Sequence, residues 1–340
     1  MTSSSYMRQR VLMAVGFALS GIALYYFLGR VDGRQLLSAL ASADLWILSV
    51  CVVTKGMVLS LNATRTRVLL LPLRRYRFFE CFVPWLSAFV TDNLFPFRLG
   101  ELVRIDLLAR AGGISRSSTA AVVGLDRLLD LVSLLVLLAV AAPVLTFDLA
   151  SAGRLILVGT IVALCVATVI WLATHPAAIS RLVATLARPM NAGSQEWLIE
   201  KAQQFSQGLG GLRSWKMVLT VLTLTLVARA LGMLAIQCWL WAFDLSLPPY
   251  TSLVVLLFIS IGTMIPSSPG FIGTFHVACA YALELMGATP EIAASVAVAG
   301  HFMTTVPWTI GGLFVSFSGI RRAWQQRRDS IRPVERVASA

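Results

Sequence analysis

The chain has 340 residues, of which 57% are hydrophobic and only 13% are charged, and its formal net charge at pH 7 is +12. A soluble domain carries about 25% charged residues, because polar side chains have to cover its water-facing surface. The composition therefore excludes a soluble enzyme, a disordered chain and a disulfide-stabilised scaffold, and it predicts a polytopic membrane protein.

Apolar segments in chain order predict six transmembrane helices. A helix needs about 20 predominantly apolar residues to cross the hydrocarbon core of a bilayer. The segments that meet this criterion are 11–29, 45–63, 118–146, 154–173, 216–243 and 292–319. The first follows two arginines, as in a signal peptide, but it is longer than a signal sequence and lacks a small-residue cleavage site. We expect it to be an uncleaved span.

Two further apolar segments are interrupted and are predicted to be re-entrant helical hairpins. Residues 78–97 contain two prolines, and residues 251–286 are broken by Pro-Ser-Ser-Pro-Gly at 266–270. Each proline removes a backbone donor that lipid cannot replace. Non-helical backbone at membrane depth is therefore expected only where it is buried in protein or lines a polar cavity.

Basic residues set the predicted orientation. With both termini in the cytoplasm and each hairpin returning to its own side, most of the 28 Lys and Arg residues fall in cytoplasmic segments, as the positive-inside rule requires. These segments include 64–77, a linker helix at 174–215 and a basic tail at 320–340. The positive charge therefore indicates membrane topology, and no nucleic-acid partner is expected.

The predicted elements form two halves with the same order. Residues 1–146 and residues 154–319 each contain two spans, a hairpin and a third span. Because each half crosses three times, the second half is inverted relative to the first, an arrangement that recurs in transporters. The alternative is that any eight apolar segments can be grouped in this way. The prediction is a single all-α membrane domain over 1–319, built as an inverted repeat.

The densest polar cluster follows the first interrupted segment. It comprises Asp92, Asn93, Arg98, Glu101 and Arg104, the last three at i,i+3 spacing. Ordinary ion pairs on a cytoplasmic helix would explain the stripe. Charged residues beside a hairpin tip are, however, costly to bury without a partner or a role. We therefore treat these five residues as candidates for substrate binding.

A second cluster lies inside the predicted span 118–146. Asp126 and Asp130 lie on one helix face at i,i+4 spacing, and Arg127 can pair with Asp130. Each charge costs about 2.5–3.5 kcal/mol at the centre of a membrane helix. They must face protein or water, either as a structural ion-pair cluster that could include Arg98 or Arg104, or as part of a binding site. Lys55 and Arg229 are isolated cations in other spans, and long side chains can carry such charges to the interface.

A third cluster surrounds the break in the second hairpin. Its candidate residues are Ser267, Ser268, Gly270, Gly273, Thr274 and His276. A helix that starts near Phe271 would point unpaired amides into the protein, a geometry that binds phosphate or carboxylate. A tight turn at the membrane surface is the alternative. His276 and His301 can titrate near neutral pH, although a lone helical histidine is more often a hydrogen-bonded core residue.

Several enzyme signatures are missing from the sequence. It contains no Walker motif, HExxH motif, CxxC pair or GxSxG elbow. The five cysteines have no paired spacing and lie in or beside apolar runs, which favours small core residues over disulfides or metal ligands. No catalytic residue, metal site, cofactor or ATP-driven step is therefore expected.

At these clusters the chain resembles the flippase-like family that includes the membrane domain of lysylphosphatidylglycerol synthase. The first block is carried by Asn93, Pro96, Arg98, Gly100, Glu101 and Arg104. The other blocks are Asp126-Arg127-Leu-Leu-Asp130, the break from Pro266 to Phe275, and Pro307 with Gly311. The chain departs from the family at His276, where Glu is frequent, and near Gly300-His301, where an Arg is frequent.

The resemblance implies movement of an amphiphilic lipid between membrane leaflets. Because the soluble aminoacyl-transferring half is missing, it does not imply lipid aminoacylation. Our leading hypothesis is a flippase of the bacterial inner membrane that moves a lipid with an anionic or phosphate headgroup. One alternative is a membrane enzyme that modifies a polyprenyl-phosphate, hopanoid or phospholipid headgroup, with Asp126 and His276 as acid–base candidates. Another is a partner subunit of a lipid synthase or glycosyltransferase; a homodimer is one open oligomeric state.

Overall fold

The computed structural model describes residues 33–96, 98–141, 175–188, 190–210, 214–265 and 267–337, with scattered residues at 21–29 and 153–171. Within these ranges the secondary structure is helical and contains no strand, which confirms the predicted all-α class. The predicted spans 11–29 and 154–173 fall almost entirely outside the described residues.

Eleven helices are described. They are α1 (Gly33–Ser42), α2 (Leu45–Leu70), α3 (Phe78–Leu94), α4 (Gly100–Gly112), α5 (Arg116–Ala141), α6 (Pro176–Leu186), α7 (Ala192–Gly208), α8 (Trp215–Ala242), α9 (Thr251–Gly262), α10 (Thr274–Leu285) and α11 (Pro290–Val337). Among the described helices, α2 and α8 are both long enough and apolar enough to cross a membrane, and α9 is apolar but shorter.

Helix α2 shows how the sequence produces a helix with two apolar faces. Asp44 begins it, because its carboxylate accepts hydrogen bonds from the amides of Trp46 (2.8 Å) and Ile47 (3.2 Å). One face is buried against α8, with Cys51 fully covered. The opposite face exposes apolar residues such as Val53, which is 63% exposed. Apolar side chains on an exposed helix face are typical of a membrane span, because that face can contact lipid.

The segment 78–97 was predicted to form a hairpin by itself, but it contains a single helix, α3, which is one arm of a longer helical hairpin. Helices α3 and α4 pack against each other around the connection 95–99, so the hairpin covers 78–112 rather than 78–97. Pro84 lies inside α3 and does not break it. The chain turns instead where Arg98 adopts a left-handed φ of 51°. Close packing of the two arms requires Gly100, since a Cβ there would lie 2.2 Å from the carbonyl oxygen of Ala88.

The second hairpin consists of α9 and α10, which pack together around the connection 263–273. Helix α10 begins at Thr274, so the predicted start near Phe271 was wrong. The reason is local, because Gly270 (φ 67°), Phe271 (φ 58°) and Gly273 (φ 95°) all have left-handed backbone, which a right-handed helix excludes. Pro269–Phe271 forms only a short 3₁₀ turn.

The segment 174–215 contains two helices where one was predicted. The side chain of Asn191 starts the second, α7, by accepting a hydrogen bond from the amide of Ser194 at 2.9 Å. Helix α7 packs on α5, where the Ser118 hydroxyl donates to the carbonyl of Gln204 at 2.6 Å. At the other end of the chain α11 continues to Val337, so the predicted basic tail begins within this helix.

Candidate functional site

A buried ion-pair network joins α2, α4 and α5. Arg65, Arg104 and Asp126 are each at most 1% exposed. The Arg65 Nε atom lies 2.9 Å from Asp126 Oδ1, and Arg104 Nη1 lies 3.3 Å from Asp126 Oδ2. The Thr66 hydroxyl donates a further hydrogen bond to Asp126 Oδ2 at 2.6 Å. Two arginines and a hydroxyl thus surround one carboxylate.

The network continues from this buried centre to a partly exposed edge. Arg65 Nη1 also pairs with Asp130 Oδ1 at 3.0 Å, which confirms that Asp126 and Asp130 share a face of α5. Arg127 pairs with Asp130 Oδ2 at 3.0 Å, as its spacing predicted, and with Glu101. Arg229 reaches Asp130 from α8 at 3.5 Å. Four helices therefore contribute charges to one network.

Trp85 on α3 packs against two arginines of this network. Its ring centroid lies 4.1 Å from the guanidinium carbon of Arg104 and 5.8 Å from that of Arg127, both within cation–π range. The indole Nε1 donates to the Thr66 hydroxyl at 2.8 Å. The aromatic ring therefore forms one wall of the network and also fixes Thr66, the donor to Asp126.

The tips of the two hairpins meet. Arg98, at the first tip, donates a hydrogen bond to the carbonyl oxygen of Thr263, and its guanidinium carbon lies 5.4 Å from the Phe271 ring centroid. A Cβ built on Gly270 would lie 3.6 Å from the Asn93 carbonyl oxygen. Asn93 also donates to Thr309 on α11 at 3.1 Å.

Asp92 acts within the first tip. Its Oδ1 atom accepts a hydrogen bond from the Gly100 amide at 2.8 Å, which closes the turn between α3 and α4. A single carboxylate therefore holds the start of α4 close to the end of α3.

The hydroxyl groups at the break in the second hairpin form hydrogen bonds within the connection between α9 and α10 and to the start of α10. Ser267 is 4% exposed, and its Oγ accepts from Thr274 Oγ1 at 3.2 Å. The Ser268 hydroxyl donates to the carbonyl of Ile272 at 2.9 Å. The described residues that line the two cavities discussed below do not include Ser267, Ser268, Thr274, Gly270 or Gly273.

The two candidate histidines lie side by side. Nε2 of His276 on α10 and Nδ1 of His301 on α11 are 3.2 Å apart. The Gly273 amide donates to His276 Nδ1 at 3.3 Å, and the Phe275 ring stacks on His301 with centroids 4.5 Å apart. His276 is 8% exposed. The sequence marked both residues as candidates but did not predict that they form a pair.

Two adjoining cavities lie beside the network. Their volumes are about 800 Å³ and about 350 Å³. Residues that line both include Lys55, Trp85, Arg98, Arg127, Arg229, Ser260 and Thr263. The larger cavity continues along apolar residues of α5 towards Phe205 and Leu209, and the smaller one reaches Phe275 and His301.

Cations outnumber carboxylates around these cavities. In the described part of the chain the network and cavity walls hold six cations, Lys55, Arg65, Arg98, Arg104, Arg127 and Arg229. They hold four carboxylates, Asp92, Glu101, Asp126 and Asp130, which leaves a formal surplus of two positive charges. Among the described residues, no carboxylate forms an ion pair with Lys55 or Arg98.

Arg65 occupies a different position from the one that the sequence predicted, and Lys55 and Arg229, for which the sequence left two positions open, lie in the interior. Arg65 had been assigned to the cytoplasmic segment 64–77, but it is buried at the centre of the network because α2 continues to Leu70. Lys55 and Arg229 line the cavities rather than reaching out to an interface. Lys55 lies over the Phe89 ring, 4.8 Å from its centroid. The spacing of Lys55, Asn62 and Arg65 on one helix face is the signal that could have revealed this.

Apolar helices that enclose an ion-pair network and two cavities indicate a helical membrane protein with a charged interior. The family described as Lysylphosphatidylglycerol synthase TM region matches residues 13–312. The chain belongs to this family, which confirms the resemblance seen in its sequence blocks. Comparison with curated proteins gives no match. Comparison with solved structures likewise gives none.

Proposed function

We propose that the protein moves an anionic amphiphilic lipid between the leaflets of the bacterial inner membrane, without ATP. The observation that carries the proposal is the surplus of positive charge on the shared wall of two cavities whose remaining walls are largely apolar. An amphiphile needs both surfaces, since its headgroup requires counter-charges and its tails require hydrocarbon or apolar protein.

Lys55 and Arg98 are the best candidates for direct contact with the headgroup. Both line both cavities, and within the described residues neither has a carboxylate partner. Arg98 Nε is buried and makes no hydrogen bond in the described part of the chain. A buried cation without a counter-charge is unfavourable unless an anion joins it, so the site favours a phosphate or similar group.

A polar stripe supplies a path for that headgroup. Lys55, Asn62 and Arg65 follow one face of α2, and all three line the larger cavity. Ten residues separate Lys55 from Arg65, which corresponds to about 15 Å along a helix. This is about half the thickness of the hydrocarbon core. Thr225 and Arg229 of α8 line the same cavity.

The proposal includes a membrane arrangement. The described order of long helix, hairpin and long helix occurs twice, as α2, α3–α4, α5 and as α8, α9–α10, α11. Helices α9 and α10 have 12 residues each. At 1.5 Å per residue each arm is about 18 Å long, too short to cross about 30 Å of hydrocarbon. Short arms favour re-entrant hairpins in a single six-span, inverted-repeat domain with cytoplasmic termini.

The surroundings of Asp126 support the enzyme hypothesis less than the transporter hypothesis. Asp126, one of the two acid–base candidates, is fully buried and held by two arginines and Thr66. A carboxylate in that position is not available to take a proton from a lipid in the cavity. We therefore propose a transporter that needs no catalytic residue.

The test is lipid movement by the purified full-length chain in vesicles. Vesicles contain a trace of fluorescent phosphatidylglycerol, phosphatidic acid or neutral phosphatidylcholine, and the fluorescence accessible to an external quencher is followed with time. We expect faster exchange of the anionic lipids than in protein-free vesicles. Lys55→Met is expected to slow this exchange about tenfold or more, because it removes a charge-assisted contact of about 1.5–3 kcal/mol.

Lys216→Met is the matched control, since Lys216 lies exposed at the start of α8. Equal rates in protein and protein-free vesicles for all anionic lipids would contradict the proposal. So would equal slowing by the two lysine variants. A change in lipid mass after incubation would favour the enzyme. Co-purification of a lipid synthase, with no effect of Lys55→Met, would favour the partner subunit.

A further inference from the structure

The paired histidines make a continuous contact between α11 and the break in the second hairpin. Gly273 N–H donates to His276 Nδ1, so the hydrogen of a neutral His276 ring lies on Nε2. That Nε2–H points to His301 Nδ1 at 3.2 Å, so Nδ1 of His301 is the acceptor. The backbone carbonyl of Gly270 also interacts with the His301 ring.

This chain of contacts holds only while both rings are neutral. An added proton has two nitrogens available, Nδ1 of His276 or Nδ1 of His301. On His276 it places a second donor against the Gly273 amide, and on His301 it places one against Nε2–H of His276. Either way one hydrogen bond becomes a donor–donor contact, and the break loses one of its attachments to α11.

The same break positions a cation of the candidate site. Residues 263–273 include Thr263, whose carbonyl accepts from Arg98, and Phe271, whose ring lies beneath the Arg98 guanidinium. Three residues of this connection have left-handed backbone, so a continuous ladder of helical hydrogen bonds cannot run through them. A change at His276 is therefore separated from Phe271 by only five residues of chain, and the contacts of Phe271 and Thr263 with Arg98 pass it on to that cation.

His301 faces the smaller cavity directly. Lys55 on α2 lines the same cavity and acts electrostatically on His301. The other charged residues that line the same cavity come from α3, the first tip, α4, α5 and α8: Asp92, Arg98, Glu101, Arg127 and Arg229. An anion bound among these cations favours a protonated His301, and by reciprocity a proton there favours the anion.

We propose that the His276–His301 pair is a proton-binding site that couples lipid movement to protonation by releasing the break of the second hairpin. This inference rests on the proposed function for its physiological meaning, and it makes the membrane pH gradient the energy source. The proton comes from water in the cavity and binds one imidazole nitrogen, and no other group changes its covalent bonds.

Non-titrating variants test the pair. Glutamine can both donate and accept, as neutral histidine does, but it cannot take up a proton in this pH range. We therefore compare His276→Gln and His301→Gln with the wild type in vesicles at about pH 5.5 and about pH 7.5, the range in which histidines titrate. His175→Gln is the matched control, because His175 is exposed and lies outside the cavities.

The readout is the ratio of each protein's own rates at the two pH values, together with the leaflet distribution under a pH gradient. One proton per lipid allows a leaflet bias of up to about tenfold per pH unit. We expect this bias in the wild type and in His175→Gln, and its loss in both other variants. An unchanged bias in His276→Gln and His301→Gln would overturn the inference.

Hydrogen exchange of residues 263–273 tests the pair independently of transport. We expect faster exchange, corrected for intrinsic rates, at the lower pH in the wild type and in His175→Gln, and no such increase in the other two variants. If lipid movement is absent but this pattern appears, the proposed function fails while the proton site stands. The same exchange at both pH values in the wild type would refute the proton site.

Discussion

Replacing Asp126 by asparagine tests whether the ion-pair network stabilises the fold. The substitution keeps the size of the side chain and an acceptor for the Thr66 hydroxyl, but it removes the negative charge between two arginines. Arg65 retains Asp130, and Arg104 retains Glu101. Both arginines, which are at most 1% exposed, are nevertheless left with one carboxylate fewer.

The magnitude follows from this burial. Removing one partner of a buried ion pair costs about 3–5 kcal/mol, because the remaining charge is left without compensation. The retained partners place Asp126→Asn near the lower end, at about 3 kcal/mol. The matched control is Asp106→Asn, whose side chain is 31% exposed and pairs with the exposed Arg110 and Arg116. Exposed pairs contribute at most about 1 kcal/mol.

The assay is the thermal unfolding of each full-length variant in the same detergent, followed by loss of helical circular dichroism. We expect a clearly lower unfolding temperature for Asp126→Asn and a value near the wild type for Asp106→Asn. An equal or smaller effect of Asp126→Asn would refute the reasoning, because the buried charges would then be contributing no more than solvated ones.

Two further predictions concern the first hairpin and the loop before it. Gly100→Ala should lower the unfolding temperature, because the added Cβ would clash with the Ala88 carbonyl and weaken the first hairpin. Gly311→Ala is the control: its added Cβ would have no neighbouring atom within 4 Å, so the substitution should be neutral or stabilising in thermal unfolding. Burial raises the pKa of Tyr76, in the loop between α2 and α3, from 10.0 to about 12. The unfolded chain therefore loses this proton first, and stability falls as pH rises from 10.0 to about 12. Tyr76→Phe has no side-chain proton to lose, and it lacks the hydrogen bond from Tyr76 to the Leu108 carbonyl. The variant should therefore be less stable than the wild type below pH 10, and the difference in their free energies of unfolding should shrink between pH 10.0 and about 12. A constant difference would contradict the assignment.

Local patterns in the sequence predicted those parts of the site that lie on one helix. The three-residue spacing of Glu101 and Arg104 and the four-residue spacing of Asp126 and Asp130 put each pair on one face, as the structure has them. Helical periodicity is a property of the backbone, so these contacts require no knowledge of the fold.

Contacts between distant segments could not be predicted in this way. Arg65 and Asp126 are 61 positions apart, and hydropathy alone assigns an arginine at the end of an apolar segment to the cytoplasm. His276 and His301 are 25 positions apart on different helices, so their pairing depends on how the helices pack. Arg98 was expected to extend the charged stripe of α4, but its left-handed backbone turns it towards the second hairpin.

The position of Arg65 has a mechanical consequence. One guanidinium bonds to Asp126 and Asp130 of α5 and to Thr225 of α8, while its own backbone belongs to α2. If one of these three helices slid past the others, several buried contacts of the Arg65 guanidinium would break at once. Helix α4 of the first hairpin is tied to α5 in the same way, through Arg104 and Glu101. Any widening of the two cavities is therefore expected at the arms of the second hairpin, α9 and α10, rather than between α2, α5 and α8.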